Sequence, residues 1–203
     1  MRVLVACEES QRVTIAFRNR GHEAYSCDIL PCSGGYPEWH FHGDIRNWLW
    51  PYNAWDLVIA HPPCTRLANS GVRWLKERDL WDELKQAAAF FNLFTDIYLG
   101  SNKKTKVAIE NPIPHKYAEI PRYDQIIQPY QFGHLEKKAT CLWLYGLPPL
   151  QPTNDVEEEM KKLPYKERAK VHYASPGPQR AILRSKTYPG IAEAMAEQWS
   201  NTN

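Results

Sequence analysis

RVLVACEESQRVTIAFRNRGHEAYSCDIL, residues 2–30, decides the fold. The run RVLVAC is apolar and partly β-branched, as a short buried strand is. Ser10 is placed to cap a helix on which Val13, Ala16 and Phe17 share one face, and Gly21 ends it. EAYSCDIL (23–30) is a second strand. A β-α-β unit of about thirty residues is the usual opening of a parallel, doubly wound sheet.

Working outward, CSGGYPEWHFHGD (32–44) reads as loop and DLVIAHPP (56–63) as a third apolar strand. DLWDELKQAAAFFNLFTDIYL (79–99) is the clearest helix, and KVAIENP (106–112) is another strand, stopped by Pro112. QIIQPYQF (125–132) and TCLWLYGL (140–147) are strands joined as a late hairpin. VEEEMKKLPYKERAK (156–170) alternates charge and reads as a solvated segment, and PGIAEAMAEQW (189–199) is a helix with Pro near its start. The expected fold class is α/β: one domain with a mostly parallel sheet and an antiparallel end.

Composition sets bounds on function. A chain of 203 residues suits one α/β domain, and 43% hydrophobic with 12% aromatic residues suffices for a core. No apolar run approaches a membrane span, and MRVLVAC is too short for a signal peptide, so the expectation is a soluble cytosolic protein without membrane association. Five cysteines with no CxxC pair argue against a disulfide framework or a Cys-rich zinc site. A net charge of +2 is small for a protein gripping duplex DNA along many phosphates.

Ligands of such sheets bind outside the carboxyl ends of the strands. Polar residues stand at four of these ends: Cys7 and Glu8, Asp28, the run Pro62, Pro63 and Cys64, and the run Glu110, Asn111 and Pro112. Two prolines restrict the backbone before Cys64, so its thiol is aimed. A thiolate is a strong nucleophile, and a carboxyl on a neighbouring strand tip can exchange a proton with the same substrate. That pair suits addition to a conjugated heterocycle: sulfur joins one ring carbon while the acid protonates a ring nitrogen.

PPC (62–64) followed by ENP (110–112) resembles the DNA cytosine-C5 methyltransferases, whose PC and ENV motifs carry nucleophile and acid. VLVACEESQRVTIAFRNRGHEAYSCDI is similar to that family's cofactor-binding first unit, and GDI (43–45) to its next cofactor motif. QFGHLEKKATCLWLYGLP (131–148) sits where the family has a basic motif, and RSKTYPGIAEAMAEQW (184–199) where a helix closes the cofactor pocket. The resemblance implies a Rossmann-like methyltransferase fold using S-adenosylmethionine. Cys64 would add to C6 of cytosine, and Glu110 would bind N3 and the exocyclic amine. C5 would then take the methyl group and lose its proton, expelling the enzyme.

By the same resemblance, Cys7, Glu8, Asp28, Ile29, Asp44, Ile45 and Pro62 would line the cofactor. Asp28 would take the ribose hydroxyls and Asp44 the adenine amine with Ile45 beside the ring; the first turn departs from the family in lacking its glycines, and there Glu8 is expected to take the ammonium group instead. Pro63, Asn111 and Pro112 would shape the substrate loop. Lys138 would hold a phosphate or favour the thiolate, against the plainer reading of a solvated hairpin lysine. Arg66 and Arg73, flanking the catalytic loop, are candidates for a substrate phosphate, and Trp74 for stacking on a base.

Only about 35 residues separate Leu150 from Ser185, too few for a target-recognition domain. The compact form is similar to reduced family members carried by bacteriophages. The partner is then DNA, single- or double-stranded, or a cytosine mononucleotide such as dCMP, with a protein partner for recognition left open. The rival reading is a non-catalytic nucleotide or nucleic-acid binding module on the same fold, and transfer of a larger alkyl group is a third. His40 and His42 in WHFH lack an obvious third ligand, so no metal is expected.

Overall fold

The computed structural model describes residues 1–173 and 184–200. Its centre is a seven-stranded sheet of β1 (Arg2–Ala6), β2 (Glu23–Asp28), β3 (His40–His42), β4 (Leu57–Ala60), β5 (Lys106–Pro112), β6 (Gln125–Ile127) and β7 (Thr140–Tyr145), in the order β3-β2-β1-β4-β5-β7-β6. The five strands from β3 to β5 in that order are parallel, and β7 runs antiparallel to both β5 and β6. Both outermost strands, β3 and β6, are three residues long.

The strands alternate their side chains between two cores, as a sheet covered on both faces must. Val3, Val5, Leu57 and Ile59 pack with Val13 and Phe17 of α1 (Arg12–Asn19) and with Ile191, Met195 and Trp199 of α7 (Pro189–Trp199). Leu4, Ala6, Val58 and Ala60 point the other way, toward Leu84, Phe91 and Phe94 of α3 (Trp81–Gly100). Phe91 meets Trp143 edge-on at a centroid separation of 4.9 Å, a geometry worth about 0.5–1.5 kcal/mol beyond burial. The short α2 (Val72–Glu77) precedes α3, and α4 (Glu157–Lys162), α5 (Tyr165–Arg168) and α6 (Lys170–Tyr173) follow the sheet. No helix among the described residues is long and apolar enough to cross a membrane.

Several sequence expectations need correction. Segment 32–44 contains a strand, β3, held parallel to β2 through Ser26↔His40 and Asp28↔His42. β2 stops at Asp28, leaving Ile29 73% exposed. Segment 125–132 is strand only to Ile127 and then a 3-10 turn at Pro129–Gln131. Segment 156–170 is mostly exposed, as expected of a solvated segment, but it is helical over Glu157–Lys162 and Tyr165–Arg168 and has Met160 and Ala169 buried.

Ser10 does not cap α1, which begins after Gln11 in a left-handed conformation with no capping bond from that residue. Glu8 reaches over the turn instead. Its Oε1 accepts from the Val13 N–H at 2.6 Å, and its Oε2 from the N–H and hydroxyl of Thr14 at 3.2 and 2.8 Å. Between Leu150 and Ser185 the described part is α4 to α6, and residues 174–183 lie outside the described residues.

Candidate active site

The parallel register of β4 on β5 pairs Ala60 with Ile109, so the next residues, His61 and Glu110, emerge side by side. His61 is also tied to β1, its N–H donating to the Ala6 carbonyl at 2.9 Å. Its Nδ1 lies 3.1 Å from Glu110 Oε2, and the two side chains are 10% and 11% exposed. Prolines cannot extend the ladder, so the chain leaves the sheet at Pro62. The Pro62 carbonyl accepts from Asn111 Nδ2 at 2.8 Å, binding the start of the thiol loop to the residue after Glu110.

The loop then folds on itself. The Cys64 carbonyl accepts from the N–H groups of Leu67 and Ala68 at 3.0 and 2.9 Å. Asn69 N–H donates to the Ile113 carbonyl, and His115 N–H to that of Leu67. Gly71 closes against the Thr65 carbonyl, which a Cβ would approach to 2.5 Å. The segment carrying the thiol is thus clamped to the segment that continues from the carboxylate.

Burial pushes the half-buried Cys64 thiol above its ordinary value, the charges of Arg184 and Lys138 oppose this, and Glu110 adds to it. Burial pushes Glu110 up, but the hydrogen bond and charge of His61, the charge of Lys138 and the Thr187 hydroxyl leave it below the usual carboxylate value. Burial pushes His61 down, and the hydrogen bond and charge of Glu110, with Glu8 behind, bring it above the ordinary histidine value. These opposite shifts describe an ion pair. Thr187 Oγ1 donates to the same Glu110 Oε2 at 3.3 Å, and the Thr187 carbonyl is held by Arg12 at 2.6 Å.

Of the sequence candidates, Cys64, Glu110, Pro62, Asn111 and Lys138 come together here, with Pro63 exposed in the loop and Pro112 ending β5. Lys138 is no free hairpin lysine: it is half-buried, reaches the Lys186 carbonyl at 3.5 Å and lies over the Tyr188 ring. Asp28 stands at its strand tip, raised by burial, and accepts from the Leu30 N–H. Cys7 has φ 59 and a thiol held protonated, first by burial and then by Asp28.

Others point elsewhere. Both oxygens of Glu8 are taken by the start of α1. Asp44 is clasped by the Arg46 backbone and guanidinium, which hold it at about 2, and Ile45 is buried in the core. Arg66 is engaged by Glu83 at 2.7 Å, and the guanidinium groups of Arg73 and Arg78 each lie 4.2 Å from the Trp74 ring centre. His40 and His42 donate through Nε2 to the carbonyls of Leu30 and Ile29. An aromatic cavity of about 440 Å³ lined by Tyr25, Phe41, Trp48 and Trp55 includes Arg2 and Glu23, the first residues of β1 and β2, and so opens at the opposite ends of the strands from Cys64.

Sequence reasoning missed His61 and Thr187. The signal for His61 was its place directly before the prolines at a strand's end; for Thr187 the sequence carries none. It also missed Glu9, whose Oε1 is buried without a hydrogen bond but lies 3.9 Å from Lys186 Nζ; His61 Nε2 and Asn111 Oδ1 are likewise buried without a hydrogen-bond partner. These three atoms belong to residues just after β1, just after β4 and at the end of β5. Buried polar atoms are ordinarily partnered, so this grouping at adjoining strand tips sets the three residues apart from the rest of the sheet. No protein-family model matches this chain, and no curated protein gives a significant match to it.

Proposed function

We propose that this protein is an S-adenosylmethionine-dependent cytosine C5 methyltransferase on a Rossmann-like methyltransferase fold, acting on DNA or on a free cytosine nucleotide such as dCMP. One observation carries the reading: the loop presenting Cys64 is bonded through Pro62 and Asn111 to the strand presenting Glu110. A nucleophile and a proton-exchanging carboxyl so held can address two edges of one flat ring, and fixed geometry of this kind accounts for much of the rate in such additions.

The division of labour follows from the surroundings. Cys64 adds to C6 after losing its proton, which the positive charges of Lys138 and Arg184 favour. Glu110 meets N3 and the exocyclic amine, an edge that suits cytosine. The cofactor's part is to supply the electrophilic methyl group. Asp28, at the β2 tip, fits the ribose hydroxyls. Glu8 and Asp44, with their oxygens already occupied, do not fit the roles the family resemblance implies for them. That same occupation favours the second reading, a binding module without turnover.

Transfer of a labelled methyl group to duplex DNA, single-stranded DNA, RNA and dCMP, with 5-fluorocytosine trapping in parallel, separates the two. Incorporation into at least one substrate is expected, with a covalent adduct that Cys64→Ala abolishes and a loss of transfer on the order of 1,000-fold or more. Cofactor binding without transfer or adduct would replace the enzyme by the module, and transfer surviving Cys64→Ala would remove the nucleophile from the scheme.

A further inference from the structure

His61 is not needed to build the strand end. Its N–H bond to Ala6 uses only backbone, and any residue could supply it. Its ring nonetheless contacts the carboxylate of Glu110 on β5 at 3.1 Å and feels the charge of Glu8 after β1. We propose that His61 is a positioning residue that stores the working proton of Glu110, so that His61 and Glu110 act as a one-proton pair beneath the pyrimidine. The use to which the proton is put rests on the methyltransferase reading; the pair itself does not.

The groups facing the ring come from each neighbouring element. Glu110 Oε2 contacts Nδ1 at 3.1 Å. Glu8 contributes charge, although its oxygens are bonded to α1. Lys138, before β7, opposes the cation. Thr187, before α7, donates to the oxygen that Nδ1 contacts. The remaining nitrogen, Nε2, is buried without a partner.

This asymmetry makes the proton movable. A cationic ring carries N–H on both nitrogens, and here the second N–H is buried facing no acceptor, which disfavours the cation. A neutral ring with its proton on Nδ1 leaves only a lone pair at Nε2, and it carries no buried charge. The Glu110 charge holds the cation in place, so whatever neutralises or engages that carboxylate releases the proton. Groups coupled this closely titrate as a unit.

In the addition step the Cys64 thiolate, its own proton lost to solvent, forms the S–C6 bond. The C5–C6 π electrons move into the ring and raise the basicity of N3. One proton passes from His61 to the Glu110 carboxylate, and the carboxyl delivers one to N3. His61 ends neutral and Glu110 ends anionic, hydrogen-bonded to N3–H. In the elimination the C5 proton passes to solvent water, the S–C6 bond breaks as the C5–C6 double bond re-forms, and the N3 proton returns through Glu110 to His61, so the pair ends as it began. A lone Glu110 could do this only at a pH low enough to protonate it, and the pair extends the range upward.

Two measurements on the full chain test this. In ¹⁵N NMR of the histidine rings, with the His61 signals assigned by their loss in His61→Asn, wild-type His61 should titrate above the ordinary histidine value. In Glu110→Gln it should fall below that value, because burial, the largest influence, is then opposed only by the charge of Glu8. A ring that stays neutral throughout, or a titration that Glu110→Gln leaves unmoved, overturns the pair. In 5-fluorocytosine trapping, His61→Asn should slow adduct formation on the order of 100-fold near pH 8, with the deficit closing toward about pH 5.5. An equal deficit at every pH would mean that His61 only supports the structure. A wild-type protein that forms no adduct at any pH would defeat the methyltransferase reading instead, and the NMR titration would still decide the pair.

Discussion

Removing the Glu8 carboxylate should destabilise the fold by about 3 kcal/mol, and the figure follows from three bonds. Glu8→Ala strips acceptors from the Val13 and Thr14 N–H groups, both in residues with no exposed surface, and from the Thr14 hydroxyl. The hydroxyl can rotate to another acceptor, but the two backbone donors cannot move without unwinding α1. Each orphaned donor costs about 1–3 kcal/mol. The lower half of that range applies, because burial already raises the Glu8 carboxyl and its removal relieves that penalty. For a domain of this length about 3 kcal/mol lowers Tm by roughly 6–12 °C. Glu8→Gln keeps one acceptor and should fall between wild type and Glu8→Ala. Ser10→Ala, at the position where sequence alone expects the cap, should change stability by less than about 0.5 kcal/mol. Urea unfolding followed by circular dichroism measures all three. Glu8→Ala within about 1 kcal/mol of wild type, or Ser10→Ala as damaging as Glu8→Ala, would refute the assignment of the cap.

Two further outcomes are expected. Glu110 is held below its ordinary 4.5, so its contribution to stability is present above that pH and lost as pH falls through the lowered value; His61 is held above its ordinary 6.5, so its contribution is present below that pH and lost as pH rises through the raised one. The urea midpoint should therefore be highest between about pH 4.5 and 6.5 and decline on both sides, and His61→Asn should flatten the alkaline decline. Gly190→Ala would bring a Cβ within 2.1 Å of the Phe132 carbonyl, in backbone that cannot simply swing away. It should cost about 1–3 kcal/mol in thermal unfolding, the range for overpacking, with the loss read as a lower Tm at unchanged secondary structure.

The opening unit and the late hairpin were legible because long apolar runs and glycine stops encode them locally. β3 was not: His40-Phe41-His42 has one apolar residue in three, and what makes it a strand is the edge of β2 beside it. Within the site, Cys64 and Glu110 could be picked out by residue type and strand position. The His61–Glu110 contact could not, since it depends on the β4–β5 register, a long-range pairing that no local pattern reveals. The same holds for Thr187, which reaches Glu110 across 77 residues of chain. Asp44 illustrates the opposite failure. An acidic residue at the expected place proved to have a partner two residues away, which satisfies it before any ligand arrives.

The brevity of β3 and β6 bears on how copies of this molecule meet one another. Each outermost strand offers a neighbour only three residues of ladder, and Ile126 alone among the β6 side chains is both apolar and exposed. A fibril needs a longer template than that to propagate by strand addition. The protein can therefore be concentrated in its folded form with little tendency to stack sheet upon sheet, even though nearly all of its sheet interior would be adhesive if bared.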